Sequence, residues 1–108
     1  MPDQKRRYPS SARRARALRI YCGFPGRRGG QKDFVAWLGG GVTAARWGMV
    51  ERGETQFSYR IVHIIKQRLP TVDTGWLRDG VEGKMPIDMM KGLNQILEGL
   101  APYTSGAS

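Results

Sequence analysis

The stretch VTAARWGMVERG, residues 42–53, predicts a short helix over residues 43–52 that is ended by Gly53. At 100° per residue, Trp47 and Val50 fall on one side of this helix, which is therefore predicted to be buried. The opposite side carries the small or uncharged residues Ala45, Gly48 and Met49. An ordinary surface helix would carry Glu, Lys or Gln at such positions. A helix with so low an outer face can lie close against another macromolecule, and a DNA major groove is wide enough to admit it.

The positive charge of the chain is concentrated in its N-terminal third. The net charge is +9 over 108 residues. Residues 1–32 contain ten Lys or Arg and one acid, a net of +9, whereas residues 33–108 contain eight Lys or Arg and eight acids, a net of zero. This segregation predicts a polyanionic partner, with nucleic acid first and an acidic membrane or protein surface second. A solvated basic tail that serves solubility is the alternative.

Length and composition predict a small domain with one modest core. No apolar run approaches the length of a bilayer span, and we expect no signal peptide. The single cysteine, Cys22, can form no internal disulfide and no Cys-rich metal site. A reducing, cytoplasmic setting is therefore expected.

Apolar residues recur at helical spacing along the rest of the chain, and no strand pattern or internal repeat is visible. The glycines and the proline of GFPGRRGG, residues 23–30, are predicted to break the first helix, and a second helix is predicted to begin near Gln31. The predicted helix caps are Ser10 or Ser11, Ser58, Asp73 or Thr74, and the C-terminal Gly80. Short helices joined by short loops predict an all-α bundle.

The two ends of the chain are expected to differ from its middle. Residues 1–9 are polar and basic and predict a flexible basic arm. Residues 81–108 predict a linker, an amphipathic helix and a disordered tail. The apolar stripe of that helix consists of Met90, Leu93, Leu97 and Leu100. This stripe can pack on the bundle, or it can form an interface that pairs two chains or receives a partner protein, since Met-rich surfaces adapt readily.

A run of residues between about 11 and 80 resembles the phage Cro/repressor-like (XRE-type) helix-turn-helix family. The residues that carry the resemblance are Leu18-Arg19, Gln31-x-x-Phe34-Val35-x-x-Leu38-Gly39, Val42-Thr43, Trp47-x-x-Val50-Glu51-Arg52-Gly53 and Trp76-Leu77-x-x-Gly80. The resemblance implies a compact five-helix bundle over residues 10–80, to which this chain adds a C-terminal helix. It also implies that the second and third helices read DNA and that a dimer binds a two-fold operator.

The resemblance also implies a role for individual residues. Gln31, at the start of the second helix, would touch a DNA phosphate with help from backbone N–H groups. The positions that would face base edges are Thr43, Ala44, Ala45 and Met49. Trp47 and Val50 would lie in the core, and Glu51 would pair with Arg19 of the first helix.

Two segments are longer than the family pattern. The segment between Arg19 and Gln31 contains extra Gly and Arg residues, so Arg27 and Arg28 are predicted to reach backbone phosphates. The turn before the third helix contains two additional glycines, Gly40 and Gly41.

Phosphate contacts are also expected from the basic arm and from the first helix, through Arg13 and Arg14. Arg46 is predicted to contact either a guanine or a phosphate.

These observations predict a sequence-specific, double-stranded DNA-binding transcriptional regulator of the repressor type that acts as a homodimer. A protein-binding module on the same fold, such as an antitoxin or anti-activator, is the alternative. A third possibility is sequence-blind coating of RNA or DNA through the basic arm.

Catalysis is not predicted from this sequence. The glycine-rich GFPGRRGGQK lacks the Gly-Lys-Ser/Thr of a phosphate-binding loop, and His63 is the only histidine. The acids near the linkers do not form a catalytic pair. We therefore expect no enzyme, no metal and no cofactor.

Overall fold

Six α-helices follow one another within the part of the chain that the structure describes. The computed structural model describes residues 7–26, 28–82 and 84–100, with Arg28 described by its backbone alone. The helices are α1 (Pro9–Tyr21), α2 (Arg28–Leu38), α3 (Ala44–Glu51), α4 (Tyr59–Arg68), α5 (Thr74–Asp79) and α6 (Ile87–Gly99). No strand occurs within the described ranges, so the prediction of an all-α bundle is confirmed.

Several helix ends lie where local sequence signals placed them. The Ser58 side chain accepts a hydrogen bond from the Ile61 N–H at 3.1 Å, and the Asp73 carboxylate accepts one from the Trp76 N–H at 3.2 Å. Gly80 ends α5 in the left-handed conformation, at φ +76°. A side-chain oxygen at such a position satisfies a backbone donor that the helix itself leaves without a partner.

The prediction for the start of α1 was wrong. Neither Ser10 nor Ser11 caps this helix, which begins at Pro9 with Tyr8 as an N-cap that makes no side-chain bond. Proline suits this position because it has no N–H to leave without a partner. The Ser11 hydroxyl instead donates to the Arg78 carbonyl oxygen at 3.2 Å. Pro9 therefore belongs to the bundle, not to the predicted arm, and residues 1–6 lie outside the described ranges.

The start of α2 also differs from its prediction, because Gly29 and Gly30 are helical. A methyl group at Gly30 would lie 2.8 Å from both the Arg19 Nη1 atom and the Phe24 carbonyl oxygen. Glycine is required here because α2 begins in close contact with α1 and the loop that follows it. The predicted break therefore holds only for the first part of residues 23–30.

We expect Gly30→Ala to lower the free energy of unfolding by about 2 kcal/mol, because the added methyl group must displace a buried guanidinium group or a backbone carbonyl. Gly29→Ala is the matched control, since a methyl group there meets no atom of the described residues within 4 Å. The control should leave stability unchanged or raise it by up to about 1 kcal/mol. Urea unfolding monitored by tryptophan fluorescence measures both, and equal effects would contradict the packing explanation.

Aromatic rings from successive helices meet at the centre of the fold. The fully buried Trp47 ring lies 5.0 Å from the Phe34 ring of α2 and 6.0 Å from the Phe57 ring, measured between centroids. Trp47 and Val50 are both buried, as their positions on the predicted helix require. The core therefore holds α3 by its inner side.

The C-terminal helix packs on the same bundle. Its N-terminal half contributes Met89, Met90 and Leu93 to the common core, and Met85, two residues before the helix, is buried there as well. Gly92 lies so close to α1 that a methyl group there would meet the Tyr21 ring at 2.7 Å. The described part of residues 81–108 therefore shares one core with residues 10–80, while residues 101–108 lie outside the described ranges.

Candidate nucleic-acid interface

A buried carboxylate anchors α3 to the rest of the bundle. Arg19 and Glu51 are only 1% and 3% exposed and form an ion pair in which Arg19 Nε donates to Glu51 Oε2 at 2.6 Å and Nη2 donates to Oε1 at 3.0 Å. Glu51 Oε2 also accepts a bond from the Trp47 indole N–H, and Oε1 accepts one from the Gln31 amide at 3.0 Å. The predicted pairing of Arg19 with Glu51 is confirmed. A carboxylate that accepts four N–H bonds joins α1, α2 and α3 into one unit.

The same arginine also holds the loop between α1 and α2. Its Nη1 atom donates to the Phe24 and Gly26 carbonyl oxygens. The Arg19 guanidinium group therefore bonds to two segments, which are Glu51 of α3 and the loop after α1. A buried cation is tolerated only where such bonds replace its hydration.

The exposed part of α3 is its N-terminal turn. Thr43, Ala45 and Arg46 are exposed, while Ala44 and Met49 are half-buried. The Thr43 hydroxyl accepts a bond from the Arg46 N–H at 3.1 Å and so defines where the helix begins. Five of the predicted contact positions therefore lie together, and three of them face outward.

Gly48 was predicted to lie on the outer face, and this prediction was wrong. The residue is buried, and a methyl group there would lie 3.0 Å from Arg52 Nη1 and 3.7 Å from Gln31 Oε1. The side chains of two neighbours therefore cover the middle of the predicted outer face. The surface that α3 can offer a partner is restricted to its first turn and the edge of Met49.

Gln31 faces inward more than the resemblance implies. It is half-buried, and its amide nitrogen donates to Glu51 Oε1. A glutamine amide carries two N–H donors, so one bond to Glu51 does not exhaust its capacity. The contact between Gln31 and a DNA phosphate stays a prediction.

Arg13 and Arg14, which were predicted to bind phosphates, donate hydrogen bonds within the bundle. Arg13 Nη2 donates to the Leu97 and Leu100 carbonyl oxygens at the end of α6. Arg14 donates through Nε to the Leu77 carbonyl oxygen at 3.0 Å and through Nη2 to the Arg78 carbonyl oxygen at 3.1 Å. Carbonyl groups at helix ends have no partner within their own helix, and cations bind them well. Both guanidinium groups therefore stabilise the bundle through part of their N–H donors, and their contacts to DNA phosphates stay a prediction.

Burial and neighbouring charge act on Arg14 in opposite directions. Partial burial lowers the pKa of the Arg14 guanidinium, and the charge of Asp79 partly offsets this effect. Its position on α1, against the end of α5, explains the burial.

The predicted phosphate contacts of the loop after α1 cannot be placed, because Arg27 and the side chain of Arg28 lie outside the described residues.

The turn between α2 and α3 consists of three glycines in the left-handed conformation. Gly39, Gly40 and Gly41 have φ values of +74°, +70° and +85°, which side chains with a Cβ atom rarely adopt. A methyl group on Gly40 would lie 2.8 Å from Ile64, so α4 packs directly against this turn. The two additional glycines therefore form a turn in contact with the bundle.

A polar cavity lies between the start of α3 and the start of α4. Its volume is about 150 Å³, and its lining residues are Gly41, Val42, Thr43, Arg46, Ser58, Arg60 and Ile61. No acid lines it. Thr43 and Arg46 were predicted contact residues, whereas Arg60 was not predicted, because its only local signal was a cation two residues after the predicted N-cap Ser58.

Other chemistry finds little support. No group of three or more His, Cys, Asp or Glu side chains that could hold a metal occurs within the described residues. Burial raises the pKa of the Cys22 thiol to about 11, so this cysteine stays a protonated, poor nucleophile at neutral pH. His63 is exposed and lies 3.1 Å from the Gln67 amide nitrogen.

The surroundings of α3 thus combine an exposed first turn, a buried anchor and a cationic cavity. None of the helices within residues 7–26, 28–82 and 84–100 has the length and apolar character needed to cross a membrane. Comparisons with protein-family models, with curated proteins and with solved structures found no match to this chain.

Proposed function

We propose that this chain is a sequence-specific, double-stranded DNA-binding transcriptional regulator that places the first turn of α3 in the major groove. The observation that carries the proposal is the contrast between the two sides of this helix. Its outer first turn is exposed and contains no acid, while Trp47, Val50 and Glu51 hold its inner side in the core. A rigid element with a low, uncharged-to-basic outer face suits close approach to a polyanion.

The start of the described chain supports the same proposal. The Tyr8 N–H donates to the Gly53 carbonyl oxygen at 3.0 Å, directly after the end of α3. Arg7, which is exposed, therefore lies near the C-terminal end of the proposed reading helix. Cations close to a groove-binding element increase affinity for the phosphate backbone without reading sequence.

The side chains on the exposed turn favour recognition of methyl groups. Thr43, Ala44 and Ala45 offer methyl groups, and Met49 offers a thioether, whereas none of these residues has the bidentate donors of Arg, Asn or Gln. Thymine is the base that presents a methyl group in the major groove. We therefore propose that the chain prefers duplexes with thymines at the positions below α3. Repression from a two-fold operator by a cytoplasmic homodimer completes the proposal.

Selection of duplexes from a random pool, followed by fluorescence anisotropy of the selected and random duplexes over a salt series, tests this function. The expected result is a selected sequence that binds at least about tenfold more tightly than random DNA and keeps that ratio as salt weakens both. Equal affinity for selected DNA, random DNA and heparin would reject it. Retention of one protein partner without affinity for DNA would instead support the protein-binding module.

Replacing thymine with uracil in the selected duplex tests methyl recognition. We expect a loss of about threefold in affinity for each contacted thymine, which corresponds to burial of roughly one methyl group. Uracil in the flanking sequence is the control and should have no effect. Ala45→Ser should reduce the difference between thymine and uracil at one position, and an unchanged difference would exclude Ala45 as a contact.

A further inference from the structure

The cavity between α3 and α4 contains hydrogen-bond donors from two helices. Arg46 and Arg60 are both exposed and both line it, and Arg60 Nη2 makes one long bond of 3.4 Å to the Gly40 carbonyl oxygen. The hydroxyl groups of Thr43 and Ser58 each accept one backbone N–H at 3.1 Å. A hydroxyl group that accepts such a bond still has its own O–H to donate. The cavity therefore offers two cations and two O–H donors to an occupant.

The positions of the two arginines are unfavourable for the isolated fold. Arg46 is the third residue of α3 and Arg60 is the second residue of α4, and neither helix has an acid in its first turn. The first turn of a helix carries the positive end of the helix dipole, which favours anions and disfavours cations. Two cations placed against this preference at the edge of one cavity indicate that an external anion compensates them.

We propose that Arg46 and Arg60 together bind one phosphate group of the DNA backbone in this cavity. The inference rests on the proposed function and assigns Arg46 to phosphate instead of guanine. Arg46 and Arg60 are positioning residues, because they fix how the first turn of α3 enters the groove. Base discrimination is then left to the methyl-bearing residues of α3. Guanidinium groups suit this task, since their N–H donors match the geometry of phosphate oxygens.

Salt dependence of duplex binding tests the shared phosphate. Each phosphate contact contributes about 0.9 to the slope of log Kobs against log salt. We expect Arg46→Ala and Arg60→Ala each to reduce this slope by up to about 1 and to weaken selected and random duplexes equally, by about tenfold. The double variant should show little further loss, because both side chains bind one group. Lys91→Ala eliminates an exposed cation of α6 and is the control, which should change neither the slope nor the affinity.

Two results would overturn the assignment. If Arg46→Ala weakens the selected duplex but not random DNA, Arg46 reads a base. If Arg60→Ala matches the Lys91→Ala control, Arg60 does not bind the backbone. Additive losses of slope in the double variant would mean two separate phosphates and would reject the shared site.

Thermal unfolding without DNA separates this inference from the proposed function. We expect inorganic phosphate to raise Tm of the full chain more than chloride does at equal ionic strength. Arg60→Glu should abolish that difference and, in phosphate-free buffer, should raise Tm by about 3 °C because it places an acid in the first turn of α4. If the phosphate effect is lost in Arg60→Glu and the wild type binds no duplex, the cavity is a site for free phosphate and the proposal of DNA binding is rejected. The anion site is rejected, and DNA binding is kept, if the wild type binds duplex but phosphate does not raise its Tm. The same conclusion follows if the wild type binds duplex and the phosphate effect persists in Arg60→Glu.

Discussion

Glu51→Ala is expected to lower the free energy of unfolding by about 3–5 kcal/mol, because it leaves the Arg19 guanidinium group buried without its counter-ion. The same substitution removes the acceptor of the Trp47 indole N–H and of the Gln31 amide. The hydrogen bonds that join α1, α2 and α3 through the Glu51 carboxylate are all lost together. Small domains are stable by only about 5–15 kcal/mol, so this substitution should remove a large part of the stability of the fold.

Urea unfolding followed by far-UV circular dichroism measures the effect. Glu54→Gln is the matched control, because its ion pair with Arg52 is 2.7 Å long but solvent-exposed, with Arg52 57% exposed, and such pairs contribute at most about 1 kcal/mol. Combining Glu51→Ala with Arg19→Met should recover part of the loss, since the unpaired buried charge is then gone. A loss below about 1 kcal/mol for Glu51→Ala alone would contradict the role of Glu51 as the anchor of α3.

Ala45→Glu is expected to weaken binding to a selected duplex by about a hundredfold, or about 2.8 kcal/mol, because it places a carboxylate against the phosphate walls of the groove. Ala45 is exposed on the first turn of α3, so the larger side chain displaces no buried group. An acid at this position is also favourable for the helix dipole. Stability should therefore be unchanged or slightly raised while DNA binding is lost.

Fluorescence anisotropy for affinity and thermal unfolding for stability are measured on the same preparation. Gln95→Glu is the matched control, because it changes the net charge by the same amount at an exposed position of α6. That control should reduce affinity by less than about threefold, through the overall charge alone. Equal effects of the two substitutions would place the DNA contact somewhere other than the first turn of α3.

Local sequence signals were sufficient where the physical cause is also local. Ser58 and Asp73 cap their helices because a side-chain oxygen can reach a backbone N–H three residues on, whatever the rest of the fold does. The periodicity of α3 placed Trp47 and Val50 in the core because turning 100° per residue requires it. The pairing of Arg19 with Glu51 came from the family resemblance, which carries tertiary information that spacing does not.

The failures share one cause, which is that a neighbour from elsewhere in the chain decided the outcome. The helical wheel placed Gly48 outward, but the wheel cannot show that Arg52 and Gln31 cover it. Charge counting could not show that carbonyl groups more than sixty positions away bind part of the Arg13 and Arg14 donors. A guanidinium group binds whichever acceptors the fold brings near, and that depends on packing.

By itself, the amino-acid sequence determined that the chain forms short helices, where most of them begin or end, which side of α3 is buried and how the charge is distributed. Each of these follows from backbone geometry or from a count of residues. Only the tertiary structure decided which cations remain available to a partner, how far α3 is exposed, and that Arg60 lies beside Arg46 in one cavity. Exposure and side-chain partnership depend on contacts between segments distant in the chain, and no local pattern records them.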